Sequence, residues 1–276
     1  MTPDYFVQLE GLNTAVYDYG NNSDSTLLFI HGNSLDASAF KEQFHFFKEK
    51  GYRCIAFDLP GHGNSEKKTT GSYTIEFFAN IIAKLITKLE LANVLFVGHS
   101  FGGHLLLESY YQLRKAMAGL VIFGAPPMQI PPDIPAMFLP NEAAGLIFQE
   151  ELKDHEISLL GKAFLKKGSI VPVTITTSIR NTDPKMRSAV GADLAEGNTK
   201  NEASIIAGAD IPVAILHGEE DQLINGAYLK LITTPKLWEN KVHYISNAGH
   251  MPQLEAPKQF NELLYRFSKH VFTKLI

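Results

Sequence analysis

The sequence predicts a doubly wound α/β fold, in which helices cover both faces of a mostly parallel sheet. Three observations lead to this prediction: short continuous apolar runs, amphipathic segments between them, and a length of 276 residues that can bury a large core. Continuous rather than alternating hydrophobicity is typical of strands that are buried on both faces. Four runs have this character: Thr26–Ile30, Val94–Val97, Leu120–Phe123 and Val213–Leu216.

Two segments have helical periodicity. Apolar side chains recur every three or four residues from Phe78 to Leu89 and again from Phe260 to Val271, which predicts two helices with one buried face each. Strands that alternate with such helices indicate the α/β class. The opening stretch 5–19 is broken at a glycine turn and predicts instead an antiparallel hairpin at a sheet edge.

One segment departs from this alternation. Six of the fourteen prolines lie in 126–140, and the residues from there to about position 207 show helical segments without a buried strand. We therefore predict a helical cap at 128–207, inserted into a core domain that is formed by residues 1–127 and 208–276. A structural elaboration with no gating role is the alternative interpretation of this insertion.

Composition excludes several function classes. The net charge of −4 and the pI of about 6.2 give no basic surface that would attract nucleic acid or an anionic membrane. The apolar runs are too short to span a bilayer, and the N-terminus lacks the pattern of a secretory signal. The single cysteine, Cys54, fits a reducing compartment. We therefore expect a cytoplasmic protein that binds neither nucleic acid nor membrane.

A motif for a serine nucleophile follows the second apolar run. The residues Gly98-His99-Ser100-Phe101-Gly102 lie between a predicted strand and a helical stretch, which is the context of a G-x-S-x-G nucleophile elbow. Such an elbow strains the serine backbone and requires small neighbours. Ser100 is therefore the predicted nucleophile, and the backbone N–H of Phe101 is a natural donor to an oxyanion.

A serine hydroxyl needs a base to accept its proton. His250 is the best candidate among ten histidines, because it lies in a loop directly after the last predicted strand. Asp221 follows the fourth apolar run by one short loop and is the predicted acid that would hold the imidazole in one tautomer. Glu219 and Glu220 are neighbouring rivals for that role, and His217 is interpreted as a structural turn residue.

A second oxyanion donor is expected in the loop after the first apolar run. This loop has the sequence His31-Gly32-Asn33-Ser34, and we assign the donor to the backbone N–H of Asn33. A plain turn is the alternative interpretation.

These motifs together resemble those of the α/β-hydrolase superfamily. The resemblance extends over nearly the whole chain outside the cap, and it includes a turn motif in addition to the loops of the acid and the base. That motif is the segment Asp58-Leu59-Pro60-Gly61-His62-Gly63-Asn64-Ser65. The resemblance implies the α/β-hydrolase fold: a mostly parallel eight-stranded sheet flanked by helices, with a helical cap inserted after the sixth strand.

A closer resemblance is to the serine-type N-acyl-homoserine lactonases, which open the lactone ring with a Ser–His–acid triad and no metal. Its residues are His31–Ser34, Gly124–Pro127, Thr182-Asp183, Leu237–His243, Asn247–His250 and Glu255–Pro257. The acid in the similar family member is a glutamate, whereas Asp221 stands at the matching position here, and either carboxylate can orient a histidine. The resemblance implies that no cofactor is needed, and no metal or nucleotide motif is found in the sequence.

The expected partner is a small ester or lactone with an apolar acyl part. Four cap residues are candidates to line a channel for the acyl chain: Met137, Phe138, Leu139 and Phe148. Packing of the cap onto the core is an equally consistent interpretation of these side chains. The motifs leave three alternatives open, namely a general carboxylesterase, a C–C bond hydrolase and a receptor of this fold that binds a small ligand.

Overall fold

The computed structural model describes residues 1–20 and 25–273, and within them an eight-stranded sheet forms the centre of the molecule. In chain order the strands are β1 (Tyr5–Leu9), β2 (Leu12–Tyr19), β3 (Thr26–Ile30), β4 (Arg53–Phe57), β5 (Val94–His99), β6 (Met117–Phe123), β7 (Val213–Gly218) and β8 (His243–Ile245). Their order in the sheet is β1-β2-β4-β3-β5-β6-β7-β8. The pairs β1–β2 and β2–β4 are antiparallel and all others are parallel, which confirms the predicted architecture.

Helices flank this sheet and fill the insertion between β6 and β7. In chain order they are α1 (Lys41–Glu49), α2 (Ile75–Lys88), α3 (Phe101–Glu108), α4 (Tyr110–Leu113), α5 (Ile134–Met137), α6 (Asp154–Ala163), α7 (Val173–Asn181), α8 (Pro184–Ala195), α9 (Glu202–Ala207), α10 (Gly226–Leu229), α11 (Pro252–Glu255) and α12 (Pro257–Thr273). Short 3₁₀ helices lie at Ala37–Phe40, Ala144–Phe148 and Trp238–Asn240.

The apolar runs form strands because each contributes to two cores. In β3, Leu28 and Ile30 belong to one buried cluster, and Leu27 and Phe29 belong to the cluster on the opposite face. All four side chains are fully buried. Successive side chains of a strand point to opposite faces, so a strand covered on both sides needs an apolar residue at every position.

The predicted elements are present with small differences in their ends. All four apolar runs lie in strands, the two periodic segments are the helices α2 and α12, and the opening stretch is the antiparallel hairpin β1–β2. The last strand is the short segment His243–Ile245, directly before the loop of His250. Strand β4 was not singled out from the sequence, because its apolar run is short and begins with an arginine, Arg53.

The insertion between β6 and β7 contains α5 to α9 and no strand of the sheet, as predicted. Its two ends meet at Glu202, whose Oε2 accepts the N–H of Met128 at 2.9 Å, while the N–H of Ala203 donates to the Met128 carbonyl at 3.0 Å. Buried cap residues such as Ile179 and Val190 belong to the same apolar cluster as the sheet. The division into a core domain and a cap at 128–207 stays a prediction.

Candidate active site

Ser100 lies at the junction of β5 and α3 with φ of 50° and ψ of −119°. A Cβ on Gly98 would lie 2.7 Å from the Gly102 carbonyl oxygen, and a Cβ on Gly102 would collide with the Ile30 carbonyl. Both positions therefore accept only glycine. The positive φ of Ser100 is unfavourable for a residue with a side chain, and such strain is typical of functional sites.

His250 and Asp221 form a buried hydrogen-bonded pair. The imidazole Nδ1 lies 2.9 Å from Asp221 Oδ2, while Asp221 Oδ1 accepts the backbone N–H groups of Leu223 at 2.8 Å and Ile224 at 3.1 Å. Only 2% of His250 and 7% of Asp221 are exposed. An ionised carboxylate can only accept hydrogen bonds, so Nδ1 carries the proton and Nε2 is unprotonated in the neutral ring.

Burial by itself would raise the pKa of Asp221, because a desolvated carboxylate is less stable. The neighbouring His250 and the backbone donors more than offset this effect and hold the pKa below its ordinary value. Asp221 is therefore ionised at neutral pH and able to stabilise an imidazolium.

The end of β6 brings the serine and the histidine together. The N–H of Ser100 donates to the carbonyl of Phe123, the last residue of β6, at 2.8 Å. The next residue is Gly124, and a Cβ there would lie 2.8 Å from Cε1 of His250. Ser100 and His250 thus lie beside two consecutive residues, Phe123 and Gly124, at the end of β6.

The loop after β3 lies directly against Ser100. A Cβ on Gly32 would be 3.1 Å from Cβ of Ser100. The neighbouring Asn33 is buried, and its side-chain Nδ2 donates to the cap carbonyl of Ile147 at 3.3 Å. Phe101 is the first residue of α3, so its backbone N–H has no acceptor within that helix. The loop that carries Asn33 thus contacts Ser100 through Gly32, and the assignment of the two amides as oxyanion donors stays a prediction.

The rival carboxylates do not take part in this pair. Glu219 and Glu220 are exposed, and their backbone N–H groups donate to the carbonyls of Ile245 and Ala248. These two hydrogen bonds fasten the loop of Asp221 to the segment that leads to His250.

The interpretation of His217 as a turn residue was wrong. β7 continues through Gly218, so His217 lies within the strand, where it is buried with Nδ1 3.9 Å from Asp221 Oδ2. Burial lowers its pKa, since desolvation disfavours the charged imidazole. His99 also lies beside the pair, because its Nε2 donates to the carbonyl of His250 at 2.9 Å.

The cap residues predicted to line an acyl channel occupy different environments. Met137 is fully buried, and the next two residues, Phe138 and Leu139, run antiparallel to the segment after Asp221. The N–H of Leu139 donates to the Leu223 carbonyl at 2.8 Å. Phe148 is 41% exposed and packs against Gly191 of α8.

Sequence reasoning missed one aromatic residue at the site. Phe164, just after α6, is buried, and its ring lies over the His250 imidazole with centroids 6.0 Å apart and planes at 30°. Phe164 follows an amphipathic helix, and nothing in its spacing distinguishes it from a residue of the core. Only the docking of the cap reveals its position.

Residues 1–20 and 25–273 contain no group of three or more His, Cys, Asp or Glu side chains placed to hold a metal ion. Over the same residues we find no helix that is both long and apolar enough to cross a membrane.

Comparison with known proteins supports the same fold. Residues 27–263 match the model of the alpha/beta hydrolase family. A solved structure of the N-acyl homoserine lactonase AidH, a mutant complexed with N-hexanoyl homoserine lactone, superimposes with a TM-score of 0.90 at 28% identity, covering 97% of each chain. An esterase from Exiguobacterium antarcticum shares the fold with a TM-score of 0.80 at 21% identity, covering 98% of this chain and all of its own.

Among sequence relatives, the bifunctional esterase/perhydrolase DCH of Acinetobacter calcoaceticus is 24% identical over 233 residues, which cover 80% of this chain and 83% of that protein. The family match covers most of the chain. The sheet, the strained serine and the chain order of the loops that carry Ser100, Asp221 and His250 are those expected from the sequence. The chain is therefore an enzyme of the alpha/beta hydrolase family.

Proposed function

We propose that this enzyme cleaves a carboxylic ester or lactone through an acyl-enzyme intermediate on Ser100. The observation that supports this best is the buried His250–Asp221 pair at the same sheet edge as a strained, partly exposed serine. A nucleophile, a base and a group that orients the base are the parts that acyl transfer requires.

In the proposed mechanism, Ser100 Oγ attacks the substrate carbonyl while Nε2 of His250 accepts the hydroxyl proton. The Asp221 carboxylate stabilises the resulting imidazolium through Nδ1. His250 then gives this proton to the leaving alkoxide. In a second step it takes a proton from water, which attacks the acyl-enzyme. His250 then returns this proton to Ser100 Oγ as the acid leaves, which restores the free serine.

Negative charge develops on the carbonyl oxygen in both steps. We assign its stabilisation to two backbone N–H groups: that of Phe101, which follows Ser100 at the start of α3, and that of Asn33, whose loop contacts Ser100 through Gly32. The loss of one such donor in an enzyme of this kind costs about 2.7–4 kcal/mol of transition-state stabilisation. The N-terminus of α3 adds a favourable partial positive charge at the same place.

Within this class we propose an N-acyl-homoserine lactone as the substrate. The support is the similarity to the lactonase AidH at 28% identity over 97% of each chain, together with apolar cap residues beside the Asp221 loop. Met137, Phe138 and Leu139 would contact the acyl chain in this assignment. Phe148, which is more exposed, would contact its outer end.

A general carboxylesterase is the second candidate, and the similarity to the esterase/perhydrolase favours it. The test is hydrolysis of a panel of N-acyl-homoserine lactones beside p-nitrophenyl esters, with Ser100→Ala and the exposed-serine variant Ser158→Ala as matched controls. We expect ring opening with kcat/KM above that of the esters, lost in Ser100→Ala and retained in Ser158→Ala.

Fast ester turnover with untouched lactones would reject the lactone assignment and retain the serine hydrolase. A fluorophosphonate probe tests the chemistry without knowledge of the substrate, and we expect it to label Ser100. An unlabelled Ser100 would overturn the proposed mechanism and favour a receptor that binds a small ligand.

A further inference from the structure

Glu255, the last residue of α11, joins the loop of His250 to the cap. Its Oε2 accepts the backbone N–H of Gly249 at 2.7 Å, and its Oε1 accepts the hydroxyl of Ser169 at 2.9 Å. The N–H of Lys166 donates to both carboxylate oxygens, at 3.0 and 3.2 Å. One side chain thus binds three donors, one next to the base and two in the cap.

The backbones that Glu255 joins are in direct contact. A Cβ on Gly249 would lie 2.8 Å from the Leu165 carbonyl oxygen and would collide with the Leu165–Lys166 peptide. A Cβ on Gly218, at the end of β7, would collide with the Gly249 carbonyl. Three segments of main chain are therefore stacked without side chains between them.

The acid loop holds the same part of the cap. Gln222, the neighbour of Asp221, donates through Nε2 to the carbonyls of Lys162 at 3.0 Å and Leu165 at 2.7 Å. Phe164 lies between these two carbonyls in the sequence, and its ring packs on the His250 imidazole. The cap turn 164–169 is thus fastened to both loops that carry the acid–base pair.

We propose that Glu255 is a positioning residue for the general base: it fixes the Ala248–Gly249 peptide, one residue before His250, against the cap turn, and so sets the place of the imidazole relative to Ser100. This inference rests on the proposed function. The serine and the histidine belong to different loops, so their distance depends on how firmly each loop is held. A misplacement of about 1 Å can cost about 100-fold in rate.

The chemistry of the side chain suggests the variant. Donors occupy both oxygens of Glu255, and Glu255→Gln keeps the shape but replaces one oxygen with an NH₂ group. An NH₂ group cannot accept a hydrogen bond. In either orientation of the amide, at least one of the three donors, from Gly249, Lys166 or Ser169, loses its acceptor.

The experiment compares Glu255→Gln with the wild type and with Glu262→Gln, a matched change of an exposed glutamate on α12. We expect the rate of fluorophosphonate labelling at Ser100, and kcat on an ester from the panel, to fall roughly 10- to 100-fold in Glu255→Gln. KM should change by less than about twofold, because substrate binding is not the property lost. Hydrogen exchange should become faster at the Gly249 and Lys166 amides.

Ser169→Ala separates positioning of the base from attachment of the cap. It removes one cap donor and leaves the contact between Glu255 and Gly249 intact, so we expect labelling close to the wild-type rate. If Glu255→Gln labels as fast as Glu262→Gln, the inference is wrong.

The inference is also wrong if Ser169→Ala loses as much activity as Glu255→Gln. It is wrong as well if urea unfolding shows that the activity lost in Glu255→Gln comes from a larger fraction of unfolded protein. Absence of labelling in the wild type would instead reject the proposed function itself.

Discussion

The hydrogen bonds made by Asp221 determine which tautomer His250 adopts. One carboxylate oxygen faces the imidazole Nδ1, and the other accepts two backbone N–H groups from Leu223 and Ile224. Neither oxygen can change its role without breaking a buried hydrogen bond. The carboxylate therefore fixes which ring nitrogen carries the proton and leaves Nε2 ready to accept one.

We predict that Asp221→Asn keeps the fold and lowers kcat by roughly 10⁴-fold. The remaining oxygen of the amide will accept from the two backbone amides, and its NH₂ group will then donate to Nδ1. The imidazole must then carry its proton on Nε2, where it cannot take one from Ser100. Steady-state kinetics on whichever substrate the panel identifies measures the effect.

The control for this change is Glu219→Gln, because Glu219 is exposed and was a rival for the same role. It should leave kcat unchanged. A large loss in Glu219→Gln together with an active Asp221→Asn would transfer the role of the acid to Glu219.

At the scale of elements, α3 connects the predicted nucleophile to the end of the cap. His104 on α3 pairs with the fully buried Glu202 of α9 at 2.8 Å, and Glu108 Oε1 accepts the N–H of Lys200 at 2.8 Å. The Lys200 ammonium also donates to the Glu108 carbonyl. Lys200 itself is exposed, whereas the side chains of Glu108 and Glu202 are buried, where charge is costly.

Burial raises the pKa of Glu108 to about 6, well above its ordinary value. A carboxyl whose pKa is higher in the folded than in the unfolded state stabilises the fold when it is protonated. Its contribution is complete below the unfolded pKa of about 4.3, and it is lost as the pH rises through about 6.

We therefore predict that Glu108→Gln removes a pH-dependent loss of stability. The free energy of unfolding of the wild type, minus that of Glu108→Gln, should fall between pH 4.5 and pH 7, as measured by urea titration at each pH. His104 titrates in both proteins, and the Glu108 carboxylate helps to raise its pKa, so the subtraction removes only the part of the His104 contribution that is independent of Glu108. A difference that is flat or rises with pH would contradict the pKa assigned to Glu108.

The sequence predicted the elements that carry the site better than the contacts between them. An apolar run such as 213–216 identifies a buried strand, and a parallel sheet places the loops after such strands at one edge. The contact between Asp221 and His250 could therefore be predicted from the sequence. Periodicity in a cap helix tells which face is buried but not which partner covers it. The contacts of Phe164 and Glu255 depend on how the cap docks onto the core, so their roles at the site could not be predicted from the sequence.

At the scale of the whole molecule, the cap and the sheet share one continuous apolar cluster. Cap residues Ile157, Ile175 and Met186 belong to it together with Leu28 and Ile122 of the sheet. Elements that bury their apolar surface against each other lose it together when either unfolds. The cap is thus expected to unfold with the core and not before it.

We predict that thiols in the cap and in the core become reactive at the same urea concentration. Cys54, the single cysteine, is buried in β4 and reports on the core. Ala163→Cys adds a second thiol at a buried position of α6 in the cap. Alkylation of each thiol, resolved by mass spectrometry of peptides, should give coincident midpoints.

The wild type provides the reference midpoint for Cys54 and shows whether the added thiol perturbs the core. Reaction of the cap thiol at a clearly lower urea concentration would show that the insertion unfolds on its own, against the expectation from the shared cluster.

The stacking of Gly218, Gly249 and the Leu165–Lys166 peptide also limits how the enzyme can be recombined with its relatives. A chimera that receives a foreign cap needs a turn whose backbone fits against two glycines and offers an amide to Glu255. Grafts that keep 164–169 from this chain and exchange the part from 134 to 148 avoid that requirement. If Met137, Phe138, Leu139 and Phe148 contact the acyl chain as proposed, substrate preference can be redesigned in the first part of the cap while the second part is inherited with the histidine loop.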